Sequence, residues 1–317
     1  MGLILDLLVQ AAQMVVVLVL APLLLGFVRV VRARLLRRRG PPLLQVYRDL
    51  AKLVRKEAVI ADNASWLFRN APYVVFSTTW VAAALVPTFA VGLHFSWAAD
   101  LIVVTALLGS ARFFLALAGM DVGTAFGGLG ASREMLFSTL AEPAMIMIVF
   151  VVALVAGSTQ LSEIAVFMVD HTTLRVSLGM ALIALLVVAL AENARIPVDN
   201  PSTHLELTMV HEAMILEYSG RHLAVIELAA ALKLLLWISL IGCIFAPWGL
   251  ARPESGLVPL VLGLLVYPGK LAVGGLLLAL FETSIAKMRV FRVPEFLGSA
   301  LMLGLLGTLL LFVSRSF

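Results

Sequence analysis

Cysteine is all but missing from this sequence: Cys243 stands alone among 317 residues, inside an apolar run. One thiol cannot close an internal disulfide, hold an iron–sulfur cluster or build a thiolate zinc site. Any redox centre the protein serves must therefore lie on other chains. Charge is scarce too, at 13% of residues, where a soluble domain carries about 25%. That shortfall excludes a water-facing globular fold. What fills its place is apolar, 62% of the chain with a mean hydropathy of +1.06. The net charge of +4 needs no nucleic acid to explain it, and none is expected as a partner.

The apolar residues come in runs of about twenty, the length a helix needs to cross a hydrocarbon layer of about 30 Å. The pattern predicts an all-α polytopic membrane protein forming a single integral domain over 1–317. Eight spans are expected, at approximately 6–30, 71–92, 98–119, 134–156, 172–193, 224–246, 257–283 and 294–314. The first run lacks a basic leader and is too long for a cleavable signal, so it counts as a span. Basic residues alternate between connections. The first carries Arg32, Arg34, Arg37, Arg38, Arg39, Arg48, Lys52, Arg55, Lys56 and Arg69, the third Arg133, the fifth Arg195 and Arg221, and the seventh Lys287, Arg289 and Arg292. The second and fourth have none and the sixth only Arg252. The positive-inside rule makes the odd connections cytoplasmic and sets both termini outside. The cytoplasmic loops then cover approximately 32–70, 120–133, 194–223 and 284–293.

Within the first loop, Leu43, Val46, Leu50, Leu53 and Val54 recur at helical spacing beside Arg48, Lys52 and Arg55. That pattern predicts an amphipathic helix lying at the interface, with Arg37, Arg38, Arg39, Arg48, Lys52, Arg55 and Lys56 turned to lipid headgroups or a docked partner. A purely topological basic loop accounts for the arginines but leaves the apolar stripe unexplained.

Against this oily background, residues 191–220 gather Glu192, Asp199, Glu206, Glu212, Glu217, His204 and His211. Pro197 and Pro201 interrupt the helix that ends at Glu192, and a second helix is expected from Ser202 to a stop at Gly220. On it Glu206 and Glu217 fall within about 20° of each other. Carboxylates that share a face near the membrane boundary repel one another and lose solvation, which moves their titration toward neutral pH. A loop of simply solvated acids is the alternative, opposed by the interleaved Leu205, Leu207, Met209, Val210, Met214, Ile215 and Leu216. No metal site is expected, because the histidines miss the H-E-x-x-H spacing. "GGLGAS" at 127–132 lacks the Lys-Ser/Thr of a phosphate loop and reads as a close-packed turn. Glu142, Lys233 and Lys270 lie within spans, where burial of an unpaired charge costs about 2.5 kcal/mol or more, and they are expected to face the bundle interior or a water-filled cavity. The same holds for Arg112 and Glu282, for which snorkelling is the alternative because they lie nearer the interfaces.

"RRRGPPLLQVYRDLAKLVRKE", "GASREMLFSTLAEPAM" and "AENARIPVDNPSTHLEL…EYSG" together resemble the membrane subunit family shared by respiratory complex I and the group 4 membrane-bound [NiFe] hydrogenases. The hydrogenase side, of the formate hydrogenlyase and hydrogenase-4 type, is the nearer. The complex I loop typically reads Pro-Phe-Asp-Leu-Pro-Glu-x-Glu-x-Glu-Leu; Pro197, Asp199, Pro201, Glu206 and Leu207 match it, while Ser202 and His204 replace two acids. The resemblance implies a membrane-anchoring, energy-coupling subunit with no catalytic residues, metal or cofactor of its own, in the inner (cytoplasmic) membrane. Its implied partners are hydrogenase large and small subunits, iron–sulfur subunits and antiporter-like membrane subunits, which would carry the [NiFe] centre and clusters. Glu192, Asp199, Glu206, Glu212 and Glu217 would receive the redox signal, and Glu142, Lys233 and Lys270 would extend a proton path inward. The alternative implied is the quinone-site subunit of a complex I-type NADH:quinone oxidoreductase.

Overall fold

The computed structural model describes residues 3–171, 175–195, 210–252, 256–286 and 292–316. Among them the regular structure is helical: α1 (Leu3–Leu35), α2 (Gln45–Arg55), α3 (Trp66–Leu85), α4 (Leu101–Asp121), α5 (Ala125–Ala156), α6 (Leu161–Asp170), α7 (Val176–Glu192), α8 (His211–Ile215), α9 (Gly220–Phe245), α10 (Leu257–Ser284) and α11 (Val293–Ser316). The expected Asp199, Glu206 and the start of the acidic helix lie outside the described residues.

Among the described residues six helices, α1, α4, α5, α9, α10 and α11, are long and apolar enough to cross a membrane. The spans expected at 71–92 and 172–193 correspond to α3 and α7. The first turn of α3 carries Arg69 and Asn70, and α7 has only 17 residues, so neither meets the length and apolarity of the six. The shorter α7 also moves Arg175 out of the expected span and into the connection before it, where no basic residue had been expected.

Caps fix where several helices begin. Ser65 Oγ accepts from Leu67 N–H at 3.0 Å, Asp100 from Ile102 N–H at 2.7 Å, and Thr124 Oγ1 from Gly127 N–H at 3.2 Å. The Thr124 cap starts α5 nine residues before the expected span, so "GGLGAS" is helical and not a turn. Its glycines still serve close packing. A Cβ on Gly127 would run into the Gly119 carbonyl of α4, and one on Gly130 would lie 2.8 Å from the Val210 carbonyl and 2.9 Å from Ala213 Cβ. Short α8 docks in that notch, with Met214 buried against Gly119 and Gly130.

The expected helix up to Gly220 is likewise broken. Residues 216–219 leave the helix, and Gly220, at φ +52°, opens α9 instead of closing its predecessor. Ser219 Oγ accepts from Val59 N–H at 2.8 Å and donates to Val59 O at 2.9 Å, and a Cβ on Gly220 would collide with the Glu57 carbonyl. Tertiary contact with the segment after α2 overrides the helical pattern here.

The amphipathic α2 forms as its spacing predicts. It buries Val46 against α1 and α9, and the Tyr47 hydroxyl donates to the Val19 carbonyl. Arg37, Arg38, Arg39, Arg48, Lys52, Arg55 and Lys56 are all exposed. The most enclosed helix is α9, ringed by α1, α2, α3, α6, α7 and α10, with Leu232, Leu235, Leu236 and Leu240 at its core. Beside it α3, α4 and α5 pack in sequence, and α11 closes on α5 and α7.

Candidate functional site

Near the end of the bundle that carries the basic connections, four helices bring charged side chains into the interior. Arg112 projects from α4 with its side chain 7% exposed. Glu192 ends α7 with 4% exposure, and its carboxylate meets both Arg112 and Lys233 of α9, the latter at 3.0 Å. A carboxylate at a helix C-terminus faces the negative end of the helix dipole, so these two cations are what make it tolerable there. From α5 come Glu134, 3.8 Å from Arg112 Nε, and Glu142, 3.9 Å from Arg112 Nη1. Between them Ser138 accepts from Arg112 Nη1 at 2.8 Å and donates to Glu142 at 2.7 Å. Glu134, Ser138 and Glu142 are four apart, one stripe along one face of α5.

Among the described residues two cations thus stand against three carboxylates, leaving one negative charge in excess if all are ionised. A cavity of about 70 Å³ lies at the centre, lined by Arg112, Glu134, Glu192, Asn193, His211 and Lys233 among others. That is room for water beside the charges. Glu142 differs from its neighbours in being half exposed. It borders a groove of about 1140 Å³ between α4 and α5, whose walls include Thr105, Gly109, Ser110 and Thr139.

A second ion centre lies close by. Glu282 of α10, 4% exposed, faces Arg195 at 3.3 Å and Arg32 at 3.5 Å. Here, among the described residues, two cations surround one carboxylate. The cap of α7 connects the centres: Ala194, at φ +47°, turns the chain, its N–H bonding Ala191 O at 3.0 Å and that of Arg195 bonding Leu190 O at 3.0 Å. Three residues after Glu192 enters one centre, Arg195 enters the other. Burial draws Arg195 below the ordinary arginine value, and Glu282 opposes that shift.

Of the residues expected to act, Glu192, Glu142 and Lys233 meet in the first centre. Lys270 does not. Its Nζ donates to Ala246 O at 2.7 Å and so caps the far end of α9, roughly 20 Å along that helix from Lys233. Glu212, on α8, is partly buried; burial raises its carboxyl above the usual value, Glu227 adds to that rise and Arg29 opposes it. Glu217 is exposed in the turn beyond α8. Arg112 and Glu282 face the interior, as expected of charges within spans, and not the interfaces; they are the hubs of the two centres, because their partners come from other helices. Glu134 was not among the expected residues; its spacing to Ser138 and Glu142 was the available signal. His211 borders the first centre from α8. Burial, with Lys233 nearby, lowers its pKa from 6.5 to about 4. Among the described residues no three His, Cys, Asp or Glu side chains are grouped so as to hold a metal ion.

The family model described as NADH dehydrogenase matches residues 8–313. Formate hydrogenlyase subunit 4 of Escherichia coli (strain K12) is 38% identical over 285 residues, covering 89% of this chain and 91% of that protein. Hydrogenase-4 component C of the same strain is 36% identical over 278 residues, covering 88% and 87%. A chain in the solved structure of the membrane-bound sulfane sulfur reductase, an archaeal respiratory membrane complex, superposes with a TM-score of 0.80 at 20% identity, covering 96% of this chain and 99% of that one. That likeness establishes the fold. This multi-pass membrane chain belongs to the NADH dehydrogenase family, alongside formate hydrogenlyase subunit 4 and hydrogenase-4 component C.

Proposed function

We propose that the chain is the membrane-anchoring, energy-coupling subunit of a [NiFe] hydrogenase complex of the formate hydrogenlyase or hydrogenase-4 type, in the inner (cytoplasmic) membrane. Eight spans, with α3 and α7 completing the six longer ones, leave both termini outside and the basic end in the cytoplasm. Hydrogenase large and small subunits and iron–sulfur subunits dock on that end and carry the [NiFe] centre and clusters. Arg37, Arg38, Arg39, Arg48, Lys52, Arg55 and Lys56 contact them or lipid headgroups. Antiporter-like subunits pack on the membrane face, and the α4–α5 groove with the half-exposed Glu142 supports that contact.

The observation that carries the reading is the carboxylate excess around Arg112. Three carboxylates against two cations make a centre that takes up one proton in response to small changes of potential. Electron arrival at a cluster above the centre adds negative charge and draws a proton in; electron departure releases it. Glu192, Glu134, Glu142 and Lys233 form the core of the path. Asp199, Glu206, Glu212 and Glu217 receive the redox signal, while Lys270 serves the far end of α9.

The test is the assembled complex in liposomes, with hydrogen turnover and acidification followed together. Glu142→Gln is expected to keep hydrogen turnover and lose most of the proton gradient; an undiminished gradient refutes the assignment. A quinone-reducing role is the second reading, favoured by the family match over residues 8–313. Quinone reduction sensitive to quinone-site inhibitors distinguishes it, because hydrogen turnover by the proposed complex is insensitive to them.

A further inference from the structure

One titratable group at the ion centre has no part in the charge balance above. His211 sits on α8, outside the spans, yet it lines the same cavity as Arg112 of α4, Glu134 of α5, Glu192 of α7 and Lys233 of α9. Its position is fixed by packing. The notch at Gly119 and Gly130 admits Met214 and Ala213, with Met214 Cγ 3.1 Å from a Cβ built on Gly119 and 3.0 Å from one built on Gly130. That contact holds α8 against α4 and α5. His211 and Met214 are three apart, so the docked residue and the imidazole lie on neighbouring sides of the same turn. The other titratable group on α8, Glu212, has Glu227 and Arg29 as its charged neighbours.

The geometry points to His211 as the proton relay between the cytoplasmic loop side and the buried ion centre. The inference rests on the coupling role proposed above and names the residue through which the centre exchanges its proton. A neutral imidazole is suited to this, since one ring nitrogen accepts while the other donates. In the forward step one ring nitrogen takes a proton from a hydronium ion of the solvent, which the only partly buried residue still meets. The other releases its own into the cavity, where a carboxylate of the centre accepts it. The ring ends neutral, and its rotation restores the starting tautomer. Burial and the Lys233 ammonium both disfavour a lasting imidazolium, so the ring passes protons on and does not store them. Storage remains with the carboxylates, which are in excess.

The experiment uses the whole complex in liposomes and measures hydrogen turnover and proton uptake in parallel. His211→Asn keeps a polar side chain but cannot relay, and is expected to slow coupled proton uptake about tenfold or more while the complex still assembles. His211→Gln, which fills more of the same space, is the second variant. In His211→Ala, free imidazole added to the buffer is expected to restore uptake in a saturable way and to leave the wild type unchanged. A merely structural histidine would not be rescued in this manner. Uptake unchanged in either assembled polar variant, or no rescue of an assembled alanine variant, overturns the relay while leaving the coupling role intact. A wild-type complex that turns over hydrogen without any coupled uptake overturns both.

Discussion

Arg112→Met tests whether the first ion centre is held together as described. The substitution preserves much of the side chain's apolar length and removes the charge that touches Glu134, Glu142 and Glu192 and the donor that Ser138 accepts. One cation, Lys233, is then left for three carboxylates. Removing one partner from a buried charge set costs about 3–5 kcal/mol, because the remaining carboxylates are left with one cation among three and little solvation. Part of this is relieved by protonation of a carboxylate, at about 1.4 kcal/mol for each unit its pKa must rise. The compensating change is Glu192→Gln, which removes the carboxylate in direct contact with Arg112. In the double variant the loss is expected to shrink by about 2 kcal/mol, a coupling within the usual range for residues in one network. Equilibrium unfolding of the detergent-solubilised chain by SDS titration measures all three variants. Arg112→Met within about 1 kcal/mol of the wild type, or additive effects in the double variant, would refute the centre as a coupled network.

Other consequences follow from neighbouring geometry. Glu282→Gln leaves Arg195 and Arg32 without their carboxylate and is expected to cost about 1–3 kcal/mol in the same titration, with Arg195→Gln recovering part of it. Gly130→Val drives side-chain atoms against Val210 and Ala213, costs about 1–3 kcal/mol and opens the 210–219 segment to limited proteolysis. The His211 pKa, lowered from 6.5 to about 4, gives a pH signature of definite sign. Between those values the unfolded chain binds the proton that the folded chain excludes. The His211 contribution is therefore whole above pH 6.5 and is lost as pH falls toward 4. His211→Asn should flatten that part of the stability profile.

Several of these features can be read from the sequence, for identifiable reasons. The strict helical period of Val46 and Leu50 against Arg48 and Lys52 makes α2 visible, since a surface helix with one apolar face has few other ways to bury it. Glu142, Lys233 and Glu192 stand out as lone charges among apolar neighbours, where hydrocarbon would not tolerate them unpaired. Their partners are harder to see. Arg112 meets carboxylates from two other helices, and nothing in a one-dimensional pattern states which faces of α4, α5 and α7 turn toward each other. Glu134 escaped notice because it lies at the expected edge of a span, although its four-residue spacing to Ser138 and Glu142 is plain once α5 is extended to Thr124. The break at 216–219 depends on Ser219 bonding Val59, 160 residues away, and on the left-handed Gly220. Local propensity favours continuing the helix there, and only the tertiary contact decides against it.

The redox-difference infrared spectrum of the assembled complex bears on the ion centre without any perturbation of it. A centre that takes up a proton when an adjacent cluster is reduced must convert one carboxylate to a carboxylic acid, whose carbonyl stretch is distinct from that of the ionised group. The wild-type complex is expected to show that band on reduction, and at least one of Glu134→Gln, Glu142→Gln and Glu192→Gln is expected to lose it. A spectrum with no carboxylic acid band, or one that survives all three substitutions, would contradict a redox-linked protonation around Arg112.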